Sequence, residues 1–133
     1  MGGDLAVFFE LIKQQNKAGL LEYAIKCINV LYQNKIHLNS ELTTISLVKG
    51  DALGGGFEAV LSSNILIAEK GSKLGLPEVL FNLFPGMGAY SLLTRKVSRT
   101  KAEEIILSGK LYTAEELYDL GVVDVLTEPG KGE

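Results

Sequence analysis

The sequence predicts an α/β fold in which parallel strands are joined by a helical crossover, and three observations carry that prediction. Two short, continuous apolar runs, residues 43–48 and 65–68, have the length and β-branched content of buried strands. A glycine-rich turn and a helix-length segment lie between them, which is the kind of connection that parallel strands need. Apolar residues at helical spacing precede this unit, and helix-capping sequences follow it.

In chain order the first element is helical. Leu5, Phe8, Phe9 and Ile12 form one apolar set, and Leu21, Ala24, Ile25, Ile28 and Leu31 form the next, the spacing of one long or two jointed amphipathic helices. Gly19 is the expected joint, because a glycine inside a helix costs about 1 kcal/mol relative to alanine. Residues 34–41 read as a polar connection. The strand at 43–48 runs into Gly50, a short helix is expected at 57–63, and the second strand is bounded by Asn64 and by Glu69-Lys70-Gly71. Past Pro77 the chain turns helical again, with a helix over 88–94. Two capping boxes, Thr100-x-x-Glu103 and Thr113-x-x-Glu116, announce two more helices, and Gly121 ends the second. Residues 122–126 read as a short last strand, and the tail at 128–133, without an apolar anchor, is expected to fray.

With 133 residues, 47% hydrophobic and 22% charged, the chain has the composition of one globular domain able to bury a core. A net charge of −3, with no Lys/Arg cluster interleaved with aromatics, argues against nucleic acid as a partner. Cys27 is the single cysteine, which excludes a disulfide within the chain, and its apolar helical setting predicts a small buried hydrophobe. Apolar stretches are broken within about ten residues, short of the ~20 of a membrane helix, and no basic-then-apolar signal pattern opens the chain. No membrane association and a cytoplasmic location are therefore expected.

The segment Gly50-Asp51-Ala52-Leu53-Gly54-Gly55-Gly56-Phe57-Glu58 joins a strand end, three glycines, a helix start and a carboxylate. Glycines leave backbone N–H groups unobstructed, and at a helix N-terminus those donors suit an anion or a carbonyl that becomes one. A phosphate loop is the competing reading, but neither its Lys-Ser/Thr nor G-x-G-x-x-G follows the strand. Leu76-Pro77-Glu78 places a second carboxylate twenty residues after Glu58, at another helix start. Both glutamates lie among Leu, Val and Phe, where burial raises a carboxyl pKa and makes proton transfer feasible near neutral pH. The remaining polar residues have plainer roles. Asp51 and Asn82 suit turns or caps, His37 has no Cys or carboxylate cluster beside it in sequence, and Ser62, Ser63 and Ser91 lack a nucleophile elbow.

On these residues the sequence resembles the crotonase, or enoyl-CoA hydratase/isomerase, superfamily. The resemblance rests on Gly50 to Glu58, on the spacing to Leu76-Pro77-Glu78, and on Phe84-Pro85-Gly86-Met87-Gly88. The run Thr113-Ala114-Glu115-Glu116-Leu117-Tyr118-Asp119-Leu120-Gly121-Val122-Val123 completes it. It implies a crotonase-like spiral of ββα units, here truncated: an oxyanion loop and helices at 1–35, a catalytic core at 43–97, and helices with a last strand at 98–126. Members of the family are about twice as long, so the chain reads as a fragment lacking the first strands and the C-terminal helices. The resemblance also implies Glu58 and Glu78 as catalytic residues, the N–H groups of Gly55 and Gly2 as oxyanion donors, a CoA or acyl-carrier-protein thioester as substrate, and a homotrimer, with neither cofactor nor metal.

Within the superfamily, GGGFEA at 54–59, LPEVLFNLFPGMGAY at 76–90 and Gly2-Gly3-Asp4-Leu5 most resemble the diffusible-signal-factor synthases. That resemblance implies a dehydratase and thioesterase that converts a 3-hydroxyacyl carrier protein to a cis-2-unsaturated fatty acid, under a regulatory sensor partner. Phe57, Leu76, Phe84 and Met87 are the acyl-pocket candidates, with Phe84 and Met87 as a chain-length ruler. A general enoyl-CoA hydratase or isomerase, and a truncated module that only binds or oligomerises, are the alternatives.

Overall fold

The two apolar runs pair in parallel, as expected. In the computed structural model, which describes residues 4–133, β1 (Ile45–Val48) lies beside β3 (Ile65–Glu69) with Ile45 opposite Ile65 and Val48 opposite Ala68. The crossover between them contains a strand the sequence did not reveal, β2 (Ala52–Leu53), followed by α3 (Gly55–Leu61). A later strand, β6 (Val125–Thr127), joins the free side of β3 in parallel. A second sheet has the order β2-β4-β5, with β4 (Lys73–Gly75) parallel to β2 and antiparallel to β5 (Leu111–Thr113). Its strands are two or three residues long, too short for alternation to show in sequence.

The rest is helical: α1 (Leu5–Lys13), α2 (Lys17–Lys35), 3-10 turns at His37–Asn39 and Pro77–Phe81, α4 (Ala89–Leu93), α5 (Arg99–Ser108) and α6 (Ala114–Asp119). Phe57 and Leu61 of α3, Leu66 and Ala68 of β3, Ile105 and Ile106 of α5, and Leu117 of α6 meet in one buried cluster. By contrast α1 buries no residue and α2 buries only Leu31. Among the described residues no helix is long and apolar enough to cross a membrane.

Several boundaries differ from expectation, each for a local reason. The joint between the first two helices is at Gln14-Gln15-Asn16, where Gln15 has φ +52°, and not at Gly19. Asn16 caps α2 by accepting from the Gly19 N–H at 2.9 Å, so Gly19 lies in the first helical turn. A Cβ there would sit 2.7 Å from Leu11 Cδ2; the glycine lets the two helices approach. Helix α3 begins at Gly55, two residues before the expected start. The cap of α5 is Ser98, whose hydroxyl accepts from the Lys101 N–H, and not Thr100, whereas the capping box of Thr113 and Glu116 is formed as expected.

Val122 and Val123, expected in the last strand, instead precede it; their apolar character reflects burial in the core. The tail is folded rather than frayed. Lys131 N–H donates to Glu128 O at 3.0 Å, Gly132 lies against Leu47, and Glu128 and Glu133 pair with Lys70 and Lys49. Cys27 is half-buried rather than buried.

Candidate functional site

The two candidate glutamates are carried by the paired short strands that sequence reasoning missed. Leu53 and Gly75 are opposite each other at the ends of β2 and β4, and the Gly54 N–H donates to Gly75 O at 2.9 Å. Gly54 then turns the chain with φ +54° and ψ −127°, a conformation open to glycine, and launches α3 with Glu58 in its first turn. On the neighbouring strand, Leu76 and Pro77 lead into the 3-10 turn that carries Glu78. A Cβ on Gly54 would lie 2.8 Å from Glu78 Oε1, so the missing side chain is what makes room for the second carboxylate.

Glu58 is 1% exposed. Its Oε1 accepts from the N–H groups of Met87 at 2.9 Å and Ala89 at 3.0 Å. Burial pushes its carboxyl pKa up; the Ala89 and Met87 N–H groups pull it down, the charge of Glu78 pushes it up again, and the outcome is upward. The Glu78 carboxyl is also raised, by burial. Its Oε2 is buried and has no hydrogen-bond partner among the described residues. Buried polar atoms are rarely left unpaired unless a site needs them. Both carboxyls thus favour the protonated form more than an exposed glutamate does.

Gly55 is the first residue of α3, and first-turn N–H groups have no partner within their own helix. Its N–H has no backbone acceptor among the described residues. Gly2, the other expected oxyanion donor, lies outside the described residues. The four acyl-pocket candidates fall in different places. Phe57 and Leu76 are fully buried in the core, Phe84 is 60% exposed, and Met87 is half-buried on a cleft shared with Leu92 and Ile28. Among the described residues no third His, Cys, Asp or Glu joins the glutamates in a metal-binding group.

The plainer residues do structural work. Asp51 accepts from the Lys73 N–H, and Asn82 takes the left-handed position after the 3-10 turn. Asn34 donates to Ser62 at 2.8 Å and Ser63 at 3.0 Å, tying α2 to α3. His37 Nε2 meets the Asn64 side-chain amide at 2.8 Å. Sequence reasoning missed the two backbone donors to Glu58, because a main-chain N–H is present at nearly every residue; only the glycines flanking Met87 hinted at an unusual path there.

The enoyl-CoA hydratase/isomerase family model matches residues 6–128. A relative, the peroxisomal fatty acid beta-oxidation multifunctional protein AIM1 of Arabidopsis thaliana, is 32% identical over 129 residues, which is 97% of this chain and 17% of that protein. Among solved structures, DspI of Pseudomonas aeruginosa superposes with a TM-score of 0.80 at 28% identity, over 87% of this chain and 43% of its own. An enoyl-CoA hydratase of Mycobacterium tuberculosis H37Rv gives a TM-score of 0.63 at 38% identity, over 66% of this chain and 35% of its own. The chain thus spans less than half the length of these proteins, and by sequence and by its crotonase-type fold it belongs to the enoyl-CoA hydratase/isomerase family.

Proposed function

We propose that the chain carries the acid–base site of an enzyme that removes water from, or adds it to, an acyl thioester across C2 and C3. The observation that carries this reading is the glutamate pair: two carboxyls raised by burial, on the helical turns that follow two paired strand ends, with Glu78 Oε2 without a hydrogen-bond partner among the described residues. One carboxylate takes the C2 proton of a 3-hydroxyacyl thioester. The other, protonated, gives its proton to the 3-hydroxyl, which leaves as water; the reverse sequence hydrates the enoyl thioester. Charge repulsion between the two carboxyls favours one ionised and one protonated member. The thioester oxygen, negative in the enolate, would be held by the N–H groups of Gly55 and Gly2, each worth about 3–4 kcal/mol in the transition state.

A finer reading is that dehydration is followed by hydrolysis, releasing a cis-2-unsaturated fatty acid from an acyl carrier protein. It is supported by the runs at 54–59 and 76–90. Hydrolysis would use water positioned by a glutamate, since Ser62 and Ser63 are engaged with Asn34. The two readings differ in product. Incubation with 3-hydroxyacyl-CoA and with 3-hydroxyacyl carrier protein, followed by mass spectrometry, gives a retained 2-enoyl thioester on the first and a free 2-unsaturated acid on the second. Absence of either product would leave a binding or oligomerising module.

A further inference from the structure

Away from the glutamate pair, two cations stand together without an acidic partner among the described residues: Lys35, the last residue of α2, and Arg95, just beyond α4. Both line one cleft of about 330 Å³ between these helices, whose walls include Ile28, Leu31, Ile36 and Leu92. Lys96 is a different case, because its ammonium lies 2.7 Å from Asp124 Oδ2. Lys35 is half-buried, and burial together with the charges of Arg95 and Lys96 holds its ammonium below the usual range. A lysine at a helix C-terminus has an ordinary role in offsetting the helix dipole. Arg95 likewise follows the C-terminus of α4, but neither helix dipole requires the two cations to line the same cleft.

We propose that this cleft binds a fatty-acid carboxylate, with the head group between Lys35 and Arg95 and the alkyl chain along Ile28, Leu31, Ile36 and Leu92. Apolar walls with a few convergent polar groups are the usual make-up of a small-molecule site, and this volume is at the lower end of the roughly 300–1,000 Å³ of such sites. A guanidinium and an amine side chain can both donate to a carboxylate, and the Ser91 hydroxyl, on the same cleft, adds a third polar group. Met87 also lines the cleft, and its N–H is one of the two donors to Glu58. An occupied cleft therefore bears on the segment that holds a catalytic carboxyl.

The same cations would also suit the phosphate of a thioester's carrier arm, and the test separates the two sources. Purified chain is titrated with dodecanoate below its micelle-forming concentration, with dodecanol and inorganic phosphate as comparison ligands, by isothermal titration calorimetry. Dodecanoate is expected to bind saturably, one per chain, and about tenfold or more weaker in the Lys35→Gln/Arg95→Gln double variant. Dodecanol should bind correspondingly weakly, and phosphate should not displace dodecanoate. The half-exposed Ile28 tests the tail without disturbing the core: Ile28→Asn should weaken dodecanoate while leaving the circular dichroism spectrum unchanged. Binding that survives the double variant, or equal binding of dodecanol, overturns the proposal; displacement by phosphate makes it a phosphate site instead. The readout is binding, so it stands or falls apart from the turnover assigned to Glu58 and Glu78.

Discussion

Glu58 is held by influences that move its proton affinity in opposite directions, and the upward one wins. Burial outweighs the two backbone donors, so at neutral pH this carboxyl is closer to its point of proton exchange than an exposed glutamate. Positioned acid–base groups contribute about 10²–10⁴-fold to rate. Glu58→Gln and Glu78→Gln are accordingly each expected to lower turnover of the thioester by about 100-fold; a loss under tenfold for both, in steady-state assays, would remove the assignment. The same shift has a stability consequence. The folded state keeps a proton that the unfolded chain has already lost above the ordinary value of 4.5. The stability linked to this one group is therefore fully present below that value and declines as pH rises through the raised folded pKa. Thermal melts across this range should show the decline in the wild type and a shallower one in Glu58→Gln. Gly54 gives a third test at this scale. Gly54→Ala meets both a positive φ and the Glu78 carboxylate at 2.8 Å, so about 1–3 kcal/mol of stability and most of the turnover should be lost. Added to Glu78→Gln, it should lower turnover little further, because the two act on one carboxylate.

At the scale of elements, what sequence reveals depends on how many residues repeat a pattern. The pair β1 and β3 was legible because each is a continuous apolar run, and α6 because its cap and its Glu116 are both present in sequence. The sheet that positions the glutamates was not, since a strand as short as Ala52–Leu53 has no period and is defined by its partner, Leu74–Gly75. The burial that raises the two glutamate carboxyls was legible from their apolar surroundings, whereas the Met87 and Ala89 donors depend on a backbone path that only the fold fixes. The start of α5 shows a third situation, two candidate caps within three residues. Ser98 is extended and accepts from Lys101 N–H, while Thr100 lies inside the helix. Ser98→Ala should therefore cost about 1 kcal/mol in chemical denaturation, and Thr100→Ala should change stability by less than about 0.5 kcal/mol. The reverse order would restore the cap that the sequence suggested.

For the whole molecule, the uneven distribution of apolar surface matters more than its total. The core is dense around α3, β3, α5 and α6, yet α1 and α2 turn Leu5, Phe9, Leu21 and Val30 outward at 60–79% exposure. Phe8, Ile12 and Ile25 are also exposed on these two helices. Isolated apolar residues on a surface are ordinary, whereas seven of them on two adjacent helices make self-association the expected outcome to test. A chain with this surface should sediment as larger species as its concentration rises. Replacing Phe9 and Leu21 with glutamate places like charges on that face and should shift the equilibrium toward monomer in analytical ultracentrifugation. Because neither side chain contributes to the buried core, the circular dichroism spectrum should be unchanged, which separates lost association from lost folding. If the wild-type chain remains monomeric at high concentration, the face is tolerated in water by this fold.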